Sequence, residues 1–261
     1  AIPRLIESSI NPLGIKTMSA PRIFSPSPLS VPADITVTGS AARHISKALR
    51  MQAGDAVTLF DGNGLEYSAT ITSIAKSAVE LRTSNAQDPG TESALKIELW
   101  QGISKGSRMD AVIQKATEMG VTTIRPIFSQ YGVVKLNSAR ASKRIEHWQE
   151  IAVSACEQSG RVKIPEILPV EKLEHALKGI GSDDSAIMLT PDADKSLKKW
   201  VKQTGKVILL IGPEGGFSEA EHQLAKEHHV KIVSMGKRVM RTETAPIAAL
   251  SILQFISGDL S

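Results

Sequence analysis

The spacing of apolar and polar positions changes character near residue 90 of this chain. Before that point apolar residues recur every second position. Ile35–Thr38, Ala56–Phe60, Leu65–Ile74 and Ala78–Thr83 therefore read as short strands with one buried face. Asp61-Gly62-Asn63-Gly64 is a strong hairpin signal between two of them. Ser40 is expected to cap a short helix, SAARHISKALR. Ile45 and Leu49 share one face of it, flanked by Arg43, Lys47 and Arg50. These elements predict a small β-rich unit over residues 18–90. The polar stretch Asn85–Ser93, with Pro89 and Gly90, is the expected linker, and residues 1–17 are expected to be a disordered extension.

From residue 91 to 261 the pattern is that of strands buried on both faces, alternating with helices. Leu95–Gln101, Thr123–Phe128, Ala186–Thr190, Val207–Ile211 and Lys231–Met235 are the expected strands. Helices are expected over Arg108–Met119, Ala141–Gln158, Val170–Lys178, Lys195–Lys202 and Pro246–Ile256. A further helix begins at Ser218, where Glu221 three residues on completes a capping box. Met109, Val112, Ile113, Ala116 and Met119 form one stripe, and Ile145, Trp148, Ile151, Ala152 and Ala155 another. Such alternation predicts an α/β domain with a parallel sheet covered on both sides. Gly212-Pro213-Glu214-Gly215-Gly216, Gly236 and Thr190-Pro191 each follow a strand, which is where an open α/β sheet forms a ligand crevice. The last helix is apolar almost all round, as burial against a sheet and a partner subunit requires; a monomeric core helix reads the same way.

Composition narrows the classes. No apolar run approaches a membrane span, and the single cysteine, Cys156, excludes an internal disulfide and fits a reducing compartment. A cytoplasmic protein is expected. The formal charge of +4 is too small to argue for nucleic acid, but the cations cluster in residues 19–50, 135–163 and 231–243. Histidines and the one cysteine lack ligand spacing, so no metal is expected. There is no Walker A loop and no G-x-G-x-x-G, so a P-loop or dinucleotide phosphate site is unsupported. What the crevice offers is bare main chain and small apolar side chains. These suit a purine and a sulfonium better than a phosphate.

IGPEGGFSEAE followed by MGKRVMRTETAPIAALSILQ resembles the signature of the RsmE family of ribosomal RNA methyltransferases. KGSRMDAVIQKATEMGV and the Glu157–Arg161 segment resemble the same family, and RHISKALRMQAGDAVTLFDGNGLEYSATI resembles its PUA-like β-barrel. Ser107 departs from the pattern, which has an acidic residue there. The resemblance implies a knotted, SPOUT-type parallel-sheet domain after the PUA-like barrel. It also implies a homodimer, and transfer of a methyl group from S-adenosylmethionine to N3 of a uridine in 16S RNA, within an assembled small ribosomal subunit. By the same resemblance the cofactor site comprises Thr190, Pro191, Ile211, Gly212, Pro213, Glu214, Gly215, Gly216, Met235, Gly236, Val239, Met240, Arg241, Thr242, Thr244 and Ala245. Arg241 and Glu243 are the candidate catalytic pair. Arg241 would offset charge on the uracil oxygens, while Glu243 would either take the proton or orient Arg241; a structural ion pair accounts for the same residues. Arg22, Arg43, His44, Lys47, Arg50, Lys105, Lys115 and Arg161 are the expected RNA contacts. The competing expectation is a non-catalytic RNA-binding or ribosome-assembly protein that retains the fold.

Overall fold

A computed structural model describes residues 20–132, 138–197 and 206–260, without the side chains of 138 and 139. The expected extension, residues 1–17, lies outside the described residues. The chain divides into two compact units after Pro89.

The first unit is a five-stranded sheet. Its strands are β1 (Arg22–Phe24), β2 (Ala33–Thr38), β3 (Ala56–Phe60), β4 (Glu66–Ile74) and β5 (Ala78–Gln87), in the order β1-β3-β4-β5-β2. β1 runs parallel to β3 and the other pairings are antiparallel. Alternation places Val57 and Leu59, then Tyr67, Ala69 and Ile71, then Val79 and Leu81 on one buried face, which Ile23, Val37 and Ile45 complete. The β3–β4 turn contains Gly62 and Gly64 at φ +89° and +100°, a conformation other residues resist. α1 (Gly39–Arg43) starts one residue before the expected cap. Thr38 occupies the N-cap position, so Ser40 lies inside the helix. The remainder of the segment, His44–Ala48, is a π-helical turn closed by Leu49 N–H donating to the His44 carbonyl at 2.9 Å.

The second unit is a parallel sheet wrapped by helices. Its elements are β6 (Ile97–Gly102), α2 (Arg108–Glu118), β7 (Thr123–Phe128), α3 (Ser138–Ser159), β8 (Glu166–Ile167), β9 (Glu171–Lys172) and α4 (Leu173–Leu177). They continue with β10 (Ser185–Leu189), β11 (Val207–Ile211), α5 (Glu219–Glu227), β12 (Lys231–Val233) and α6 (Thr244–Ser257). The strand order is β12-β10-β11-β6-β7-β8, with β9 pairing further along β7, and every pairing is parallel. β11 shows why both faces must be apolar. Val207, Leu209 and Ile211 enter a core with Met109, Ile113, Trp148 and Leu250, while Ile208 and Leu210 enter another with Leu173, Leu177 and Phe217.

Three expectations change. Val170–Lys178 is not one helix but the short strand β9 followed by α4. β12 ends at Val233, two residues early. Of the helix expected over Lys195–Lys202, residues beyond Leu197 lie outside the described ones, and Ser196 forms a β-bridge with Ser234. After β12, at one edge of the sheet, the chain returns past the ends of β10 and β11 to reach β6, and α6 then packs beside α2. That return brings residues 235–243 to the carboxyl ends of the central strands.

Candidate active site

A cavity of about 640 Å³ opens where the loops after β10, β11 and β12 meet. Thr190, Pro191, Ile211–Gly216, Met235, Gly236, Val239–Thr242 and Ala245 all line it, as does Glu243. Of the expected cofactor residues only Thr244 does not; it is the exposed first residue of α6. Arg108, Leu189, Asp192, Phe217 and Arg238 also line the cavity, beyond the residues expected for the cofactor site.

The loop after β11 is held closed by contacts that tolerate only glycine. A Cβ on Gly212 would lie 2.9 Å from Gly216 main chain, and one on Gly215 would lie 2.8 Å from Tyr131 Cβ. Gly216 and Gly236 are different: each has positive φ, +70° and +112°, and open space where a side chain would stand. At these two positions the bare backbone gives the cavity its room. The loop then enters α5 through the capping box foreseen from sequence. Ser218 Oγ accepts from Glu221 N–H at 3.2 Å, and Glu221 accepts from Ser218 N–H at 2.8 Å.

Beneath the loops, buried Thr242 ties the returning chain to the sheet. Its hydroxyl donates to the Gly212 carbonyl at 2.8 Å and accepts from Gln101 Nε2 at 3.0 Å, with Ser104 Oγ 3.3 Å away. Gln101 Oε1 is buried with no hydrogen-bond partner among the described residues.

Four of the charged groups lining the cavity form a chain. Arg108, the first residue of α2, donates from Nη1 to Glu214 Oε1 at 2.8 Å, and Lys105 N–H donates to the same oxygen at 3.2 Å. Burial alone would raise the Glu214 carboxyl. Its backbone hydrogen bonds, those of Lys105 and the Arg108 guanidinium outweigh burial and hold it below the ordinary carboxylate range. On its other side Arg108 Nε lies 3.8 Å from Glu243 Oε2, and Arg241 Nη1 lies 4.0 Å from Glu243 Oε1. Glu243 Oε2 is buried and has no hydrogen-bond partner among the described residues, whereas the Arg241 side chain is 80% exposed.

The expected RNA contacts divide into two kinds. Arg43, His44, Lys47 and Arg50 are all exposed on α1 and the turn that follows. Lys105 is exposed, and Lys115 donates to Glu118 at 2.8 Å. Arg22 and Arg161 face inward instead. Arg22 pairs with Glu66 and lies over the Phe60 ring, 5.2 Å from its centroid. Arg161 is 4% exposed; it donates to Glu92 at 2.8 Å and to the Thr117 and Val121 carbonyls at 2.9 and 2.8 Å. Its guanidinium is committed to closing the end of α2 against the linker, which replaces the RNA-lining role expected of it. No group of acidic, histidine or cysteine side chains able to hold a metal occurs among the described residues.

Comparison with known proteins adds a lineage to this geometry. Residues 91–254 match the family model of the RNA methyltransferase domain, and residues 37–84 match that of the RNA methyltransferase PUA domain. The chain is 35% identical over 241 residues to ribosomal RNA small subunit methyltransferase E of Buchnera aphidicola from Schizaphis graminum, spanning 92% of this chain and 98% of that one. Among solved structures, the ribosomal RNA small subunit methyltransferase E of Neisseria gonorrhoeae bound to S-adenosyl methionine is 38% identical, with a TM-score of 0.88. It covers 93% of this chain and 100% of that one. Lpg2936 from Legionella pneumophila, solved with the cofactor SAM, is 37% identical with a TM-score of 0.89, at the same coverage. Two family models in the order of the two structural units, and identity sustained over nearly the whole length, place the chain in the ribosomal RNA small subunit methyltransferase E family.

Proposed function

We propose that the protein uses S-adenosylmethionine to methylate N3 of a uridine in 16S RNA, acting in the cytoplasm on an assembled small subunit. The observation that carries the reading is the buried oxygen of Glu243, an acceptor without a hydrogen-bond partner among the described residues, on the wall of the cavity formed by the loops after β10, β11 and β12. The residues present fit the cofactor. Gly216 and Gly236 leave open space beside backbone amides and carbonyls, Leu189, Ile211, Phe217, Met235 and Met240 supply apolar contact, and no phosphate cradle is needed. When bound, S-adenosylmethionine supplies a methyl carbon on a positively charged sulfur, to which the bonding electron pair returns as the methyl leaves.

The protein's own part is to handle a proton and a charge. The uracil N3–H is weakly acidic, so its proton must leave as the nitrogen becomes nucleophilic. Glu243 is the group to accept it, and Arg241 offsets the negative charge that then grows on a neighbouring uracil oxygen. The base has to leave its stack to reach a recessed site. A homodimer is part of the same reading: Phe255 and Ile256 on α6 are 66% and 41% exposed, an apolar face suited to a second copy.

The test is transfer of a labelled methyl group from S-adenosylmethionine to unmodified small subunits, with mass spectrometry of the nucleosides. Label on uridine N3 is expected. Cofactor binding by calorimetry with label on another base would overturn the specificity, and RNA binding without transfer would leave a non-catalytic protein.

A further inference from the structure

Glu243 stands between two guanidinium groups contributed by distant parts of the chain, Arg108 at the start of α2 and Arg241 in the loop before α6. The separations, 3.8 Å to Oε2 and 4.0 Å to Oε1, exceed hydrogen-bond length. All three side chains line the cavity. Arg108 is anchored by Glu214 through Nη1, which leaves its Nε edge toward Glu243. The result is one open acceptor flanked on each side by a donor it has not engaged.

We propose that Arg108, Glu243 and Arg241 read the target base as donor, acceptor and donor, with Arg108 a second catalytic residue that binds a uracil oxygen. The proposal rests on the uridine-N3 reading above. Along that edge uracil presents carbonyl, N–H, carbonyl, which is the complement of the three side chains. Cytosine presents an amino group and a ring nitrogen without hydrogen. It would set an amino N–H against a guanidinium and leave Glu243 facing a lone pair. Guanine supplies the central N–H but has an amino group on one flank. Each mismatch leaves a desolvated polar group without a partner, the kind of error that discriminates strongly. As the N3 proton passes to Glu243, negative charge spreads from nitrogen to both flanking oxygens. Donors at both oxygens then gain more in the transition state than in the ground state.

The experiment uses the full-length protein, single-turnover methylation and small subunits reconstituted on unmodified RNA. Arg108→Gln should lower the rate by about 100-fold or more, the loss seen when one oxyanion donor is removed, while leaving cofactor affinity unchanged. Arg108→Lys should restore part of the rate. Glu214→Gln cuts the anchor but keeps the guanidinium, and should lose less than Arg108→Gln. The decisive arm replaces uridine by 5-fluorouridine, whose imide ionises more readily: the Arg108→Gln deficit should shrink on that RNA. An equal deficit on both RNAs, or a Glu214→Gln variant as slow as Arg108→Gln with a lowered melting temperature, would make Arg108 a tie between loops and overturn the proposal. A normal Arg108→Gln rate, with the wild-type methyl on uracil N3, would sink Arg108 alone. A wild-type methyl on any other atom would overturn the underlying reading as well.

Discussion

Gly102, the last residue of β6, lies against Pro213 of the next strand's loop so closely that a methyl group cannot be placed between them. A Cβ on Gly102 would collide with Pro213 N and Cδ, atoms held by the proline ring and unable to turn aside. Gly102→Ala is therefore expected to destabilise the protein by about 1–3 kcal/mol, as overpacking does, and to weaken cofactor binding by displacing the 212–216 loop. Urea unfolding together with a cofactor titration checks both, and a wild-type result in each would mean that the loop yields without cost.

Thr242→Val keeps the shape of the side chain and removes its hydroxyl. The Gly212 carbonyl and Gln101 Nε2 lose their shared partner, at an expected cost of about 1–3 kcal/mol for buried groups left unsatisfied. The variant should unfold at lower denaturant concentration with an unchanged slope; an unchanged midpoint would show that another group replaces the hydroxyl.

Glu92 should make stability sensitive to acid. Burial alone would raise its carboxyl, but the Arg161 guanidinium and the N–H groups of Lys163 and Val162 hold it below the ordinary value of 4.5. Its folded pKa being depressed, the stabilisation is complete above that value and is lost as pH falls through the lower, folded one. Glu92→Gln removes the carboxylate to which buried Arg161 donates and should cost about 3 kcal/mol at neutral pH. Denaturation across pH should show the gap to wild type closing below 4.5; a gap independent of pH would mean that the charge contributes nothing.

Arg241→Ala and Glu243→Gln are expected to keep the fold while losing most of the single-turnover rate at saturating cofactor and RNA. Raising the pH should partly restore Glu243→Gln, since a uridine that ionises unaided no longer needs an acceptor. Near-normal turnover with a lowered melting temperature would make the two residues scaffold at the start of α6.

Arg43→Ala and Lys47→Ala should weaken RNA binding without touching cofactor affinity. Each lost phosphate contact is expected to flatten the dependence of log affinity on log salt by about 0.7–0.9. An unchanged slope would leave these side chains as a solvated face.

The features legible in the sequence were those written in contiguous residues. Val207–Ile211 is apolar without interruption, and β11 occupies those residues. Ser218 and Glu221 sit three apart, and their capping box forms. Arg108 escaped because its partners, Glu214 and Glu243, are supplied by loops more than a hundred residues later. Its position just beyond a glycine turn at the end of β6 was the available signal, the same kind of place that marked the other loops. Arg161 was read outward because nothing local reveals that Glu92, in the linker some seventy residues earlier, claims its charge. β1, β8 and β9 are two or three residues long, too short to establish a period.

The return of the chain from β12 to β6 sets when the site can come into being. Arg108 apart, every wall of the cavity comes from residues 189–245, and α6, which packs beside α2, follows them. During synthesis the sheet's first strands emerge with nothing yet able to hold a ligand. A polypeptide released short of Thr242 lacks both the tie to Gly212 and the Glu243 carboxylate. A chain not yet synthesised past the loop after β12 therefore lacks part of the wall of this cavity, however complete its first strands are.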